Sequence, residues 1–335
     1  MKASFITALN TVLPFVLYLT FGYGVKRLGV VDETFLKKLN RMVFQCFFPV
    51  MMFSNVYHIE TVELIRVPYV LTALFSLLAV IVILMLVVPL FVKGNPQRGV
   101  IVQGIYRSNF VLFALPMAES VFGAEGAATA SVLIAIIVPT YNLAAVIILE
   151  MFHEKELAAV AEQSADAEVP VSGRKNVAVN PKILLQNVLT NPLIVGAIVG
   201  AIFLFSGIRL PQAVDQPVRA VADMTTPLAL FVLGGTLRFR AIGPNMKYLV
   251  PTLAAKMILL PLLTTILATQ LSMTAIERFV LLVMYGSPTA VASYAMAENM
   301  GGDGELAGQI VVIGTAVSVF TLFGWIFLYG QMGML

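Results

Sequence analysis

Ten apolar stretches recur along the chain, each near the roughly 20 residues a helix needs to cross a hydrocarbon core about 30 Å thick. They cover residues 5–25, 36–57, 67–92, 99–121, 127–149, 188–207, 214–236, 246–270, 276–298 and 306–330. A soluble domain has no room for so many. With 59% apolar and 12% charged residues and a mean hydropathy of +0.92, the sequence reads as an all-α membrane protein of ten spans. The first run is followed by Lys26 and Arg27 and has no small-residue cleavage site, so it reads as a retained helix. The single cysteine, Cys46, sits in an apolar run and allows neither a disulfide framework nor a thiolate metal cluster.

The placement of charge orients the spans. With the N-terminus outside, the cytoplasmic connections hold Lys26, Arg27, Lys37, Lys38, Arg41, Lys93, Arg98, Lys155, Arg174, Lys175, Lys182, Arg238, Arg240 and Lys247. The opposite face holds Lys2, Arg66, Arg209, Arg219 and Arg278. The positive-inside rule therefore predicts a multi-pass cell (inner) membrane protein with both termini extracytoplasmic. Arg107 and Lys256 remain within spans.

Sliding the chain on itself at an offset of 178 pairs Pro14 with Pro192, Gly22 with Gly200, Gly29 with Gly207, Arg41 with Arg219, Pro49 with Pro227 and Phe53 with Phe231. At 179 it pairs Tyr69 with Tyr248, Tyr106 with Tyr285, Ser108 with Ser287, Met117 with Met296, Ala118 with Ala297 and Glu119 with Glu298. Two related halves of five spans each must enter the membrane in opposite directions, which is an inverted-topology repeat. Residues 1–149 form the first repeat, 150–186 a cytoplasmic linker rich in Ala, Glu, Ser and Val, and 187–335 the second repeat. Duplication can serve as a scaffold alone, but inverted repeats are the usual architecture of alternating-access carriers.

In such carriers the site lies near the midplane, where matching helices of the two halves are interrupted. The fourth run reads Tyr106-Arg107-Ser108-Asn109-Phe110 and continues to Pro116; the ninth reads Tyr285-Gly286-Ser287-Pro288-Thr289. At about 1.5 Å per residue, Asn109 and Ser287 each lie about 15 Å deep, reached from opposite faces. Opened amides at half-helix N-termini suit a carboxylate, and hydroxyl and amide side chains fix its orientation. The expected substrate contacts are Asn109, Ser108, Arg107, Pro116, Ser287, Pro288 and Thr289. Against this stands the reading of Ser and Asn as glue between helices and of the prolines as simple kinks.

Charges inside spans each carry more than one reading. Arg107 either neutralises a second carboxylate or snorkels to the cytoplasm. Lys256 pairs with a carboxylate, sets the charge of a moving element, or snorkels. Asp223 stands one turn from Arg219, which reads as a helix-end ion pair; with Lys256 and its repeat mate Gln45 it makes up a candidate coupling network. Glu119 and Glu298 lie at helix ends and are not expected as ligands.

These residues carry a family resemblance. Asn191-Pro192-Leu193-Ile194-Val195-Gly196, then Pro211, then Pro227-Leu228-Ala229-Leu230-Phe231-Val232-Leu233-Gly234 are the most specific stretch. Asn109 with Pro116, Ser287-Pro288-Thr289-Ala290, and Ala297 to Gly301-Gly302-Asp303 add to it. The chain resembles bacterial members of the auxin efflux carrier family, which includes malate and malonate permeases and the plant PIN-type auxin carriers. The resemblance implies that the fourth and ninth helices cross at the binding site, an architecture shared with bile-acid symporters and sodium–proton antiporters. It implies a mobile transport domain of helices three to five and eight to ten, and a scaffold and homodimer interface of helices one, two, six and seven. By the same resemblance Asn109 contacts the substrate carboxylate, and Asp223 matches an aspartate of plant members. The glycines usual after that asparagine are Val111 and Ala114 here, and the third helix lacks the charged pair of plant auxin carriers.

The expected function is a secondary transporter of an organic anion, a small dicarboxylate such as malate or malonate, working by an elevator motion. The alternatives are an auxin-like monocarboxylate carrier and a sodium-coupled bile-acid-type symporter; a receptor for the same ligand also stays open. The sparse polar residues do not line a channel. His58 and His153 are the two histidines, in loops on opposite faces by this reading, and no metal, triad or phosphate-loop spacing occurs. No enzyme activity, cofactor, metal or nucleic-acid partner is expected.

Overall fold

The computed structural model describes residues 2–58, 66–165, 181–237, 242–271 and 273–335, and among them every regular element is helical. Residues 166–180 of the expected linker, with Arg174 and Lys175, lie outside the described residues, as do 238–241 with Arg238 and Arg240. In order, α1 (Lys2–Arg27) precedes α2 (Glu33–Met42), which runs through a π-turn (Val43–Phe47) into α3 (Phe48–Tyr57). Then follow α4 (Val67–Phe91), α5 (Asn95–Tyr106) and the long α6 (Phe110–Ala165). The second half holds α7 (Pro181–Thr190), α8 (Pro192–Ser206), α9 (Gln212–Thr236), and α10 (Ile242–Ala254), which passes through a second π-turn (Ala255–Leu259) into α11 (Leu260–Gln270). It ends with α12 (Ala275–Gly286), α13 (Ala292–Asn299) and α14 (Gly304–Gln331).

The ends of these helices are written locally. Asp32 caps α2 by accepting from Phe35 N at 2.6 Å. Asn191 caps α8 with Pro192 in its first turn, Thr274 and Glu277 form a capping box at α12, and Asp303 caps α14 through Leu306 N at 2.9 Å. Gly29 and Gly207, equated by the 178 offset, follow α1 and α8 at φ 74° and 68°, a left-handed conformation that glycine adopts without penalty. α6 carries a kink at Gly123 where the sequence suggests a loop between the fourth and fifth runs, and it continues to Ala165, well into the expected linker. His153 is therefore helical, and His58 caps α3 and bonds Asp215 at 2.8 Å.

Among the described residues, five stretches are long and apolar enough to cross a membrane: Val67–Phe91, Asn95–Leu157, Gln212–Thr236, Gly243–Gln270 and Gly304–Gln331. The bent pair α7–α8, which meets at 66°, makes up to six. Lipid is as apolar as leucine, so association within a bilayer relies on close backbone approach and packing. α3 lies along α8 and α1 along α9, and small residues let them meet. A Cβ at Gly22 of α1 would fall 2.0 Å from the Phe231 carbonyl oxygen of α9, and one at Gly200 of α8 would fall 2.7 Å from the Phe53 oxygen of α3. The Gly196–Gly200 spacing, which sequence leaves open between a dimer seam and internal packing, is occupied within the chain, since a Cβ at Gly196 would sit 2.2 Å from Pro49 O.

Two cores result. One gathers α4–α6, α10–α12 and α14 around Tyr106, Phe110, Phe113, Phe279 and Ile310. The other joins α1, α3, α8 and α9 around Phe15, Phe48, Leu193 and Leu230, with Tyr294 and Ala295 of α13 packed in. The site lies where they meet.

Candidate functional site

Two helices stop inside the first core. α5 ends at Tyr106, and Arg107 turns extended at φ −83°, ψ 127°, before α6 starts at Phe110. α12 ends at Gly286, and Ser287 turns extended at φ −66°, ψ 149°, as a residue before proline prefers. Backbone opened at such depth must find partners in the protein. The two breaks supply them to one another. Asn109 N donates to Pro288 O at 2.8 Å, the Thr289 hydroxyl donates to Gly104 O at 2.7 Å, and the Ser108 hydroxyl donates to Met284 O. Arg107 N and Ser287 N close back on Gln103 O and Val283 O at 3.0 Å each.

A cavity of about 800 Å³ opens beside the first break. Arg107, Ser108, Asn109 and Pro116 line it together with Asp223, so five of the predicted residues share one wall space. The first residues of α6, Phe110, Val111 and Leu112, also line it, so the partial positive charge of that helix N-terminus faces the cavity. Phe15, Phe48, Met51, Met52 and Leu230 make the facing walls apolar. Among the described residues no side chain bonds the Asn109 amide, which is left free toward the cavity.

Arg107 does not snorkel. Only 3% exposed, its guanidinium donates to Asn142 Oδ1 at 2.5 Å and to Met296 Sδ at 2.7 Å, both neutral. Lys256 does not reach water either. It is fully buried in the second π-turn behind the break, and its Nζ donates to the Ser108 hydroxyl. Ser108 thereby joins the cavity wall to both Lys256 and α12.

Other predicted residues lie elsewhere. Ser287 is fully buried and bonds its own helix at Val283 O, 2.6 Å, while Thr289 is turned to Gly104; with Pro288 they brace the first break and do not line the cavity. Gln45 is exposed and outside the cavity. Arg219 pairs with Asp215 at 2.8 Å, not with Asp223, which stands exposed on the α9 wall.

Sequence reasoning missed Asn142 and Tyr141. Both line the cavity, and Asn142 holds Arg107. A lone amide in the fifth apolar run was the available signal for Asn142; nothing in sequence sets it against Arg107, 35 residues away. The wall thus offers a guanidinium, a free amide and a helix N-terminus, an array of donors whose chemistry suits an anion. No three His, Cys, Asp or Glu side chains among the described residues are grouped to hold a metal.

A family model described as membrane transport protein matches residues 7–326. No match to a curated protein was found.

Proposed function

Because the chain belongs to this family of membrane transport proteins, the auxin efflux carriers, we propose that it is a secondary transporter that carries a small dicarboxylate such as malate or malonate through the cavity at the α5–α6 break. The observation that carries the reading is Arg107: a buried guanidinium in the cavity wall, beside Asn109 and a helix N-terminus, with neutral protein partners only. Such a group is costly in a membrane unless a counter-charge arrives, and a substrate carboxylate is that counter-charge. One carboxylate meets Asn109 and the α6 amides; the second meets Arg107.

The ten-span inverted repeat, in the inner membrane with both termini outside, belongs to the same proposal. Its spans are α1; α2–α3; α4; α5 with the start of α6; the rest of α6; α8; α9; α10–α11; α12–α13; and α14. Bonds between positions equated by the offsets support it. Thr225 donates to Phe47 O, 178 residues away, at 3.3 Å, and Asn109 N donates to Pro288 O, its mate at 179. Gly22 and Gly200, mates at 178, each lie on the carbonyl of the phenylalanine of the other half, Phe231 and Phe53, which are themselves mates. Contacts of this kind lie on or about a two-fold axis between inverted halves. In the elevator reading α1–α3, α8 and α9 are the scaffold, and a homodimer through them, while α4–α6 and α10–α14 move with the cargo.

One observation favours a second cargo: the Phe and Met walls give room for an aromatic monocarboxylate such as indole-3-acetate. Counterflow in proteoliposomes with labelled malate, challenged with malonate, succinate, lactate and indole-3-acetate, decides between them. Malate exchange blocked mainly by dicarboxylates supports the proposal. Exchange of labelled indole-3-acetate without malate exchange moves the assignment to the monocarboxylate, and no exchange of either sinks it.

A further inference from the structure

We propose that this carrier is an obligatory anion exchanger: the element bearing Arg107 crosses the membrane only with an anion bound, on both legs of the cycle. The inference rests on the carboxylate-transport reading and concerns the leg on which the carrier would return empty.

Arginine stays ionised at any pH the protein meets. Arg107 contributes that fixed charge from a buried position, and Asn142 and Met296, which hold it, bring none. Of the ion pairs Glu33–Lys37, His58–Asp215, Arg66–Glu277 and Asp215–Arg219, none reaches the breaks. Three carboxylates on or beside α12 and α14 are turned to other tasks. Glu277 serves the α12 cap and Arg66, Glu305 accepts from Gln309, and Asp303 caps α14 and accepts from Gln97. Lys256 adds a second basic side chain to the same element, with the Ser108 hydroxyl as its partner.

Asp223 is the carboxylate among the cavity-lining residues, and it stands on α9 in the part that the elevator reading holds still. It stays behind when the broken helices move. In the state seen here Arg107 is 3% exposed, and what water it meets lies in the cavity it borders. Between the two sides of the membrane that water is lost, and an uncompensated guanidinium then stands in a low dielectric. A carboxylate bound beside Asn109 travels with the charge and removes the penalty. The loaded element therefore crosses and the empty one waits for a new anion.

The test uses proteoliposomes loaded with labelled malate and measures efflux with and without saturating malate outside. Exchange is expected to exceed net efflux by about tenfold or more. Asn142→Asp supplies the missing counter-charge from within, at the atom already bonded to Arg107 and with little change of shape. Its net efflux should approach its exchange rate, the ratio falling toward one, although malate binds more weakly. If that variant does not fold, Arg107→Gln serves, with the same expected fall in the ratio. Wild-type efflux that is equal with and without external malate overturns the proposal and leaves carboxylate transport standing. A ratio unchanged in a folded variant overturns it too. No exchange at all overturns both readings.

Discussion

Gly22→Ala is expected to push α1 away from α9. The new Cβ would lie 2.0 Å from the Phe231 carbonyl oxygen and 2.8 Å from its carbonyl carbon, where ordinary contact begins at about 3.5 Å. These are backbone atoms of a packed helix, so no side chain can swing aside, and the helices must part by about 1 Å or more. Overpacking of this kind costs about 1–3 kcal/mol. Replacing a helical glycine by alanine normally gains up to about 1 kcal/mol, which offsets only part of the cost. Gly24, two residues on, supplies the control, because a Cβ there meets nothing within 4 Å and only the propensity gain applies. Thermal unfolding of the purified variants in detergent should rank Gly24→Ala at or above wild type and Gly22→Ala below it. α1 and α9 also wall the cavity through Phe15 and Leu230, so half-saturation for malate counterflow should rise in Gly22→Ala alone. A Gly22→Ala protein that melts with Gly24→Ala and binds like wild type refutes the close-approach argument. Gly200→Ala on α8 is the counterpart and should behave as Gly22→Ala does.

Three further outcomes follow from single contacts. Asn109→Ala removes the amide that faces the cavity but keeps the backbone bond to Pro288, so malate half-saturation should rise by about tenfold or more while the melting temperature holds. Glu277→Gln removes the charge that accepts from Thr274 N at 2.8 Å and Arg66 Nη1 at 2.9 Å; a loss of about 1–2 kcal/mol in unfolding is expected, most of it from the cap because Arg66 is half exposed. Thr289→Val keeps the shape and deletes the bond to Gly104 O, lowering stability by about 1 kcal/mol and slowing transport, whereas Thr289→Ser restores both; a valine variant with wild-type flux would mean that this brace between the breaks is dispensable.

Which of these residues the sequence could point to depends on whether their role is written in local backbone chemistry. Breakers such as Arg107 to Asn109 and Gly286 to Pro288 interrupt apolar runs at matching depth, so the position of the breaks is legible from spacing alone. What each break faces is not. Ser108 and Ser287 are equivalent by offset, yet one lines the cavity and the other closes on Val283, because the facing direction is set by the helices packed around them. Gln45, the offset mate of Asp223, does not line the cavity, and the reason is local. It lies in the π-turn Val43–Phe47, whose wider turn shifts the face presented by that stretch, while α9 runs as regular α-helix through Asp223. Arg219 has an aspartate one turn away on either side, and the one it takes, Asp215, is the N-terminal one, the orientation that favours an acid–base pair along a helix. His58 reaches the same carboxylate from α3, which fixes Asp215 between two partners and leaves Asp223 to the cavity.

The same distinction explains why the charge balance of the site is invisible in a formal count. The chain carries a net charge of +3, which says nothing of where a cation lacks a partner. Arg107 becomes the decisive residue only once Asn142, from a different apolar run, is seen to hold it without neutralising it. An aspartate at 142 would read almost identically in composition and hydropathy, yet it would neutralise the guanidinium and remove the physical reason for an anion to bind there. On the proposed reading, recognition of the cargo therefore turns on an amide where an acid would fit.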